Sequence, residues 1–298
     1  MNKHPILWTL LIICVIFLTV VASVITLAFR SLSGSRSASF GSDEPVVVVQ
    51  IEDTIMESLD VLKELEDLRT DDDVKAVVLR LDSPGGAVAP SQEIYQQVLK
   101  LKKSGKIIVV SMGTVAASGA YYIGCAADKI VANPGTITGS IGVIMESVGL
   151  QELVKKFALE SRVIKSGPFK DAGNPFRDMT ETERTYFQDI VNNMYEQFLT
   201  AVSENRKIAM DKLRTLAQGK VYTGLQAKEF GLVDELGNIY DAIDLAKKLA
   251  NLSDDAGVRW PREPSAWEKI WKGDEAGALT RLLFKGGQGL RLPAYQLQ

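Results

Sequence analysis

The chain has 298 residues, 46% of them hydrophobic, and carries 34 basic against 37 acidic side chains for a formal net charge of -3. That length supports one sizeable domain or two small ones, and the charge lacks the basic surplus expected of a nucleic-acid binder. Histidine occurs once, at His4, so chemistry in the body of the chain proceeds without imidazole, which removes Ser-His-Asp triads, Cys-His dyads and most zinc sites.

In chain order, Ile6 to Phe29 carries no charge. A bilayer needs about 20 apolar residues, so this run is long enough to span one. It exceeds the roughly 7–15 apolar residues of a cleavable leader, although Ser37-Ala38-Ser39 offers small residues for a cleavage site. Lys3 precedes the run, and Arg30 and Arg36 follow it. The expectation is a single N-terminal anchor in the cell (cytoplasmic) membrane, with the body on the extracytoplasmic side. Ser31 to Ser42 is rich in Ser and Gly and reads as a flexible linker.

From Pro45 the pattern alternates. Val46–Ile51 reads as a buried strand, and Leu59, Leu62, Leu65 and Leu68 give a helical face over 58–68. Strands are expected at Val74–Leu81, Ile107–Ser111, Lys129–Ala132, Ile137–Ile144 and Arg162–Lys165. Helices are expected at Ser91–Lys103, Ser118–Ala127, Gln151–Phe157, Gly224–Phe230 and Ile239–Ala250, with a long one over Thr180–Ile208 that opens on a capping-box sequence. Such alternation predicts a largely parallel sheet with helices packed on it. Cys14 and Cys125 have no disulfide or metal spacing and read as small buried hydrophobes.

Four segments carry chemical interest. Asp82-Ser83-Pro84-Gly85-Gly86 follows a strand, and its glycines let backbone amides approach a ligand and face a developing oxyanion; a plain tight turn accounts for it equally. Ser118 lies between small residues in Ala117-Ser118-Gly119-Ala120, with the Gly119 amide placed as an oxyanion donor. Taken alone, Ser118 is also an ordinary helix N-cap. Thr138-Gly139-Ser140-Ile141-Gly142 offers Ser140 as a hydroxyl able to orient an amine, or simply a glycine-containing strand. A serine nucleophile needs a base within hydrogen-bond reach. Without imidazole the candidates are Lys165 and Lys170 in one loop, because desolvation of a lysine favours its neutral amine. Residue chemistry alone does not choose between them.

Together, and in this order, these segments and Ser166-Gly167-Pro168-Phe169-Lys170-Asp171 resemble the signal peptide peptidase A family in its short, single-copy form, over about Val46 to Ala250. The resemblance implies a crotonase/Clp-protease-like α/β fold. It implies Ser118 as nucleophile, Lys170 as base, Ser140 holding the lysine amine, and the amides of Gly85 and Gly119 as oxyanion hole. It implies no metal and no cofactor. Its substrates would be signal-peptide fragments and unfolded chains at a membrane, and its assembly a homo-oligomeric ring, often an octamer. Many members carry a second glycine where this chain has Ala120. The expected organisation is an anchor over 1–30, a linker over 31–45, a Ser-Lys peptidase domain over 46–252 and a C-terminal extension over 253–298 containing Trp260, Trp267 and Trp271. Two other readings remain: a coenzyme A-dependent enzyme of the crotonase type, and a catalytically inactive membrane-anchored scaffold of the same fold.

Overall fold

The computed structural model describes residues 44–261, together with Thr19. The elements are β1 (Val46–Glu52), α1 (Leu59–Thr70), β2 (Ala76–Ser83), α2 (Val88–Lys103), β3 (Ile107–Ala117), α3 (Gly119–Gly124), β4 (Lys129–Ala132) and β5 (Ile137–Gly139). There follow α4 (Gln151–Lys156), α5 (Glu181–Arg206), α6 (Met210–Leu216), β6 (Val221–Thr223), α7 (Gly224–Phe230), β7 (Glu235–Leu236), α8 (Ile239–Leu249) and β8 (Val258–Arg259).

The sheet runs β6-β5-β3-β2-β1-β8, with β4 paired to the first half of β3 and β7 to β4. Every pairing is parallel except β5 with β6. A parallel sheet is covered on both faces, so its central strands are continuously apolar. In β1, Val47, Val49 and Ile51 point into one cluster with Leu65, Ile94, Tyr121 and Leu199, residues of α1, α2, α3 and α5. Val46 and Val48 point the other way, onto Ala242, Ile243 and Ala246 of α8. This period of two carries one core on each face of the sheet.

Two expected strands change. The one over 137–144 stops at Gly139, because Gly139 (φ 80°) and Ser140 (φ 49°) both turn left-handed and leave the extended region. Arg162–Lys165 forms no strand; the chain there is exposed, and no strand among the described residues pairs with it. Conversely, β3 runs six residues past Ser111, to Ala117. Among the described residues no helix is long and apolar enough to cross a membrane, and the expected anchor lies outside them. Cys14 and most of the segment after Trp260 also lie outside. Cys125 is buried, and burial pushes its thiol up to about 12, which keeps it unreactive.

Candidate active site

The site begins with an irregularity in the sheet. β2 and β3 pair in register as far as Leu81 with Met112, and then Ser83 pairs with Ala116. β3 therefore carries two extra residues at this level, and the backbone groups of the detour need other partners. Side chains provide them. The Val115 N–H donates to Asp82 Oδ1 (3.0 Å), Thr136 Oγ1 donates to Gly113 O (2.7 Å), and Thr138 Oγ1 donates to Ala116 O (2.6 Å). Arg80 Nη1 donates to Met112 O at 3.3 Å.

This braced detour ends at Ser118. Its N–H donates to Gly139 O (2.9 Å), and its carbonyl accepts the Tyr122 N–H (2.8 Å). The residue sits at φ 52°, ψ -118°, a conformation that costs a non-glycine residue about 1–3 kcal/mol. Its hydroxyl does not cap the following helix α3, so the N-cap explanation of this serine fails. A strained strand-to-helix corner with a free, half-buried hydroxyl is the arrangement that exposes a nucleophile.

Gly85 packs directly behind that corner. At φ 101°, a Cβ on it would lie 2.6 Å from Gly119 N and 2.8 Å from Ser118 Cβ, so only glycine fits. Gly119 is equally confined, since its Cβ would meet Ser91 Oγ at 2.4 Å. The Gly85 N–H, expected to face an oxyanion, instead donates to Ser83 Oγ (3.1 Å), and Gly85 is buried. The next amide is different. Gly86 is exposed, and its nitrogen lies 3.3 Å from the position of a Cβ on Gly119. No hydrogen bond among the described residues uses the N–H of Gly86 or of Gly119.

These groups open onto a cleft of ≈ 670 Å³ lined by Gly86, Ser118, Ser140, Val143, Asn192 and Tyr195 among others. Ser140 therefore shares the cleft with Ser118, held by its N–H on Lys220 O (2.8 Å). A side chamber of ≈ 30 Å³ leads off beside Ser118 and Gly119 between Val88, Tyr122, Val143, Met194 and Phe198.

A family model for peptidase family S49 matches residues 100–253, more than half of the chain, and so takes in Ser118, Ser140 and the lysine loop. The chain belongs to peptidase family S49. A Clp protease model matches residues 42–136, the stretch containing β1 to β4 and the Ser118 corner. A Synechocystis sp. relative that carries a protease name is 42% identical over 193 residues, 64% of this chain and 69% of that one. A relative from Enterococcus faecium, bearing the name signal peptide peptidase, is 35% identical over 214 residues, 72% of this chain and 62% of that one. Protease 4 of Haemophilus influenzae is 34% identical over 239 residues, 75% of this chain and 38% of its own length. This chain thus matches about two thirds or less of each of the latter two proteins. It is an S49-family protease on a Clp-protease-like α/β fold.

The two lysines of the S49 chain part company. Lys165 Nζ donates to Asp171 Oδ1 (2.5 Å) and to Pro168 O (3.1 Å). Lys170 is exposed, and its amine has no partner among the described residues. Lys170 lines neither the cleft nor the chamber, so within one chain Ser118, Gly119, Ser140 and the Gly85-Gly86 turn come together and Lys170 stays outside. Sequence reasoning missed Asp82, Thr136, Thr138 and Ser91. Asp82 precedes a glycine turn and the two threonines precede Ser140, but their hydrogen-bond partners lie 22 to 33 positions away in the chain. Among the described residues no group of three or more His, Cys, Asp or Glu is arranged to hold a metal ion.

Proposed function

We propose that this chain is a membrane-anchored serine endopeptidase in which Ser118 is the nucleophile and Lys170 the general base, and that it degrades signal-peptide remnants and other extended chains. The observation that carries this reading is the Ser118 corner: strained backbone, uncapped hydroxyl, and two unused N–H groups, that of Gly86 on the open cleft and that of Gly119 on its side chamber. Ser118 Oγ attacks the scissile carbonyl carbon as its proton passes to the neutral amine of Lys170. The resulting oxyanion is met by Gly86 N–H and Gly119 N–H, with Gly85 as the packing residue beneath. Lys170 then gives the proton to the leaving amine, and water attacks the acyl-enzyme with the same base.

The base is supplied by a neighbouring copy of the chain. Residues 143–178 form no buried core of their own, and this stretch, which carries the unpaired Lys170, exposes Ile144, Val148, Phe157, Leu159 and Ile164. An apolar surface of this kind is ordinarily an interface. Closed rotational assembly then sets each Lys170 against the next Ser118, with Ser140 there to accept and orient the amine. The chamber walled by Met194 and Phe198 suits a small apolar side chain before the scissile bond.

The test is subunit mixing with full-length, detergent-solubilised protein on an unstructured peptide. Ser118→Ala and Lys170→Ala are each inactive, and co-assembly of the two recovers cleavage. Two inactive variants that stay inactive when mixed show that the base is not shared between copies. A fully active Ser118→Ala removes the peptidase reading of this corner and favours a scaffold.

A further inference from the structure

The loop that carries Lys170 contains an obstacle to its proposed role. Asp171 is its immediate neighbour, and a carboxylate beside an amine favours the charged ammonium, which cannot accept a proton. The structure keeps that carboxylate occupied. Asp171 Oδ2 accepts from Arg177 Nε (3.0 Å), Oδ1 accepts from Lys165 Nζ (2.5 Å), and the Asp171 carbonyl accepts from Arg177 Nη2 (3.0 Å). Arg177 is itself anchored, since its Nη1 donates to Glu183 Oε2 (2.9 Å) and to Asp178 O (3.0 Å). Glu183 is buried and closes the capping box of α5 with Thr180. The clamp thus ties the lysine loop to the first turn of α5, the longest helix among the described residues.

We propose that Arg177 is a positioning residue that keeps Lys170 available as a base by holding the Asp171 carboxylate away from it. The inference rests on the Ser118–Lys170 reading. Arg177 lines neither the cleft nor the side chamber, and acts through Asp171. Lys165, the other lysine candidate, takes the second oxygen and belongs to the same clamp. The charged residues of this loop are Lys165, Lys170, Asp171, Arg177 and Asp178, and those of the first turn of α5 are Glu181, Glu183 and Arg184. Of these, Glu181 pairs with Arg184 (3.7 Å) and the Asp178 carboxylate accepts from Gln151 (2.9 Å). Asp171 is left as the carboxylate next in chain to the amine. Hydrogen bonds from Arg177 hold the Asp171 and Glu183 carboxyls well below the usual range, Glu183 to about 2, so the clamp stays ionised at neutral pH.

The experiment is a pH-activity profile of the full-length protein and four variants, with assembly checked by light scattering. In Arg177→Ala the freed Asp171 pairs with Lys170. The rising limb of the profile moves to higher pH, and kcat/KM at pH 7.5 falls about tenfold, the effect of one close opposite charge. Arg177→Ala/Asp171→Asn, which removes the freed carboxylate, brings the limb back toward the native position. Lys165→Met, on the exposed side of the clamp, gives a smaller shift in the same direction and serves if Arg177→Ala does not assemble. A limb that stays in place in both Arg177→Ala and Lys165→Met, with only the amplitude reduced, overturns the proposal, because loss of folded protein lowers amplitude without moving the limb. Lys170→Ala is the control. If it keeps native activity, the base reading itself fails; if it is inactive while the limb stays fixed, the clamp alone fails.

Discussion

Ser118 illustrates how much chemistry one residue's backbone can carry. A serine at φ 52°, ψ -118° persists only because Gly139 O, the Tyr122 N–H and the glycines around it over-determine the position. Replacing it with glycine relieves that strain, so Ser118→Gly is expected to raise the melting temperature by the equivalent of about 1 kcal/mol while abolishing cleavage. Calorimetry beside a peptide assay checks both halves, and a destabilised Ser118→Gly contradicts the strain account. The serine was legible from its small neighbours, but its conformation was not, because the same residues suit an ordinary N-cap. The glycine turn illustrates the opposite limit. Gly85 and Gly86 are indistinguishable in sequence, and Ser83 decides between them by taking the first amide. At Glu183 the depressed carboxyl, at about 2, contributes stability that is present above the unfolded value near 4.5 and is lost as pH falls through about 2. Protection of the 165–185 segment from proteolysis is therefore expected to hold at pH 5 and to fail only in the window below about pH 4.

At the scale of elements, the strands and helices up to α3 were legible because apolar periodicity and local contacts agree there, and β1, β4 and α7 begin as read. The detour in β3 was hidden, since its partners come from residues far along the chain. Thr138 is the clearest of them: fully buried, with its hydroxyl on Ala116 O at 2.6 Å. Thr138→Val keeps the shape and removes this side-chain donor to Ala116 O. It is expected to cost about 0.5–1.5 kcal/mol and to lower kcat more than it raises KM, because the corner it braces holds the proposed nucleophile. A change confined to KM contradicts that role. The short strands β6, β7 and β8 have two or three residues each, too few for a period of two to register. The expected strand at Arg162–Lys165 failed for the converse reason: β-favouring residues without a partner strand stay irregular.

At the scale of the whole molecule, a two-faced parallel sheet was foreseeable from the alternation of elements, whereas the separation of Lys170 from Ser118 was not. Sequence puts both residues in one chain, and only the fold shows that the lysine loop stays out of its own cleft. In the proposed reading, the apolar side chains of residues 143–178 make assembly the element that completes the site. Ile164, fully exposed in the single chain, is the position to test. Ile164→Asp is expected to lower the mass measured by light scattering and to reduce cleavage at least tenfold, with the secondary structure of the subunit unchanged. Unaltered assembly and activity would remove residues 143–178 as the interface.

The most direct measurement is covalent labelling of the full-length protein with a serine-reactive phosphonate, mapped by peptide mass spectrometry in the native chain and in Ser118→Ala. The account predicts one adduct, on Ser118, absent from the variant and rising with pH in step with peptide cleavage. An adduct on another serine, or equal labelling of Ser118→Ala, contradicts it.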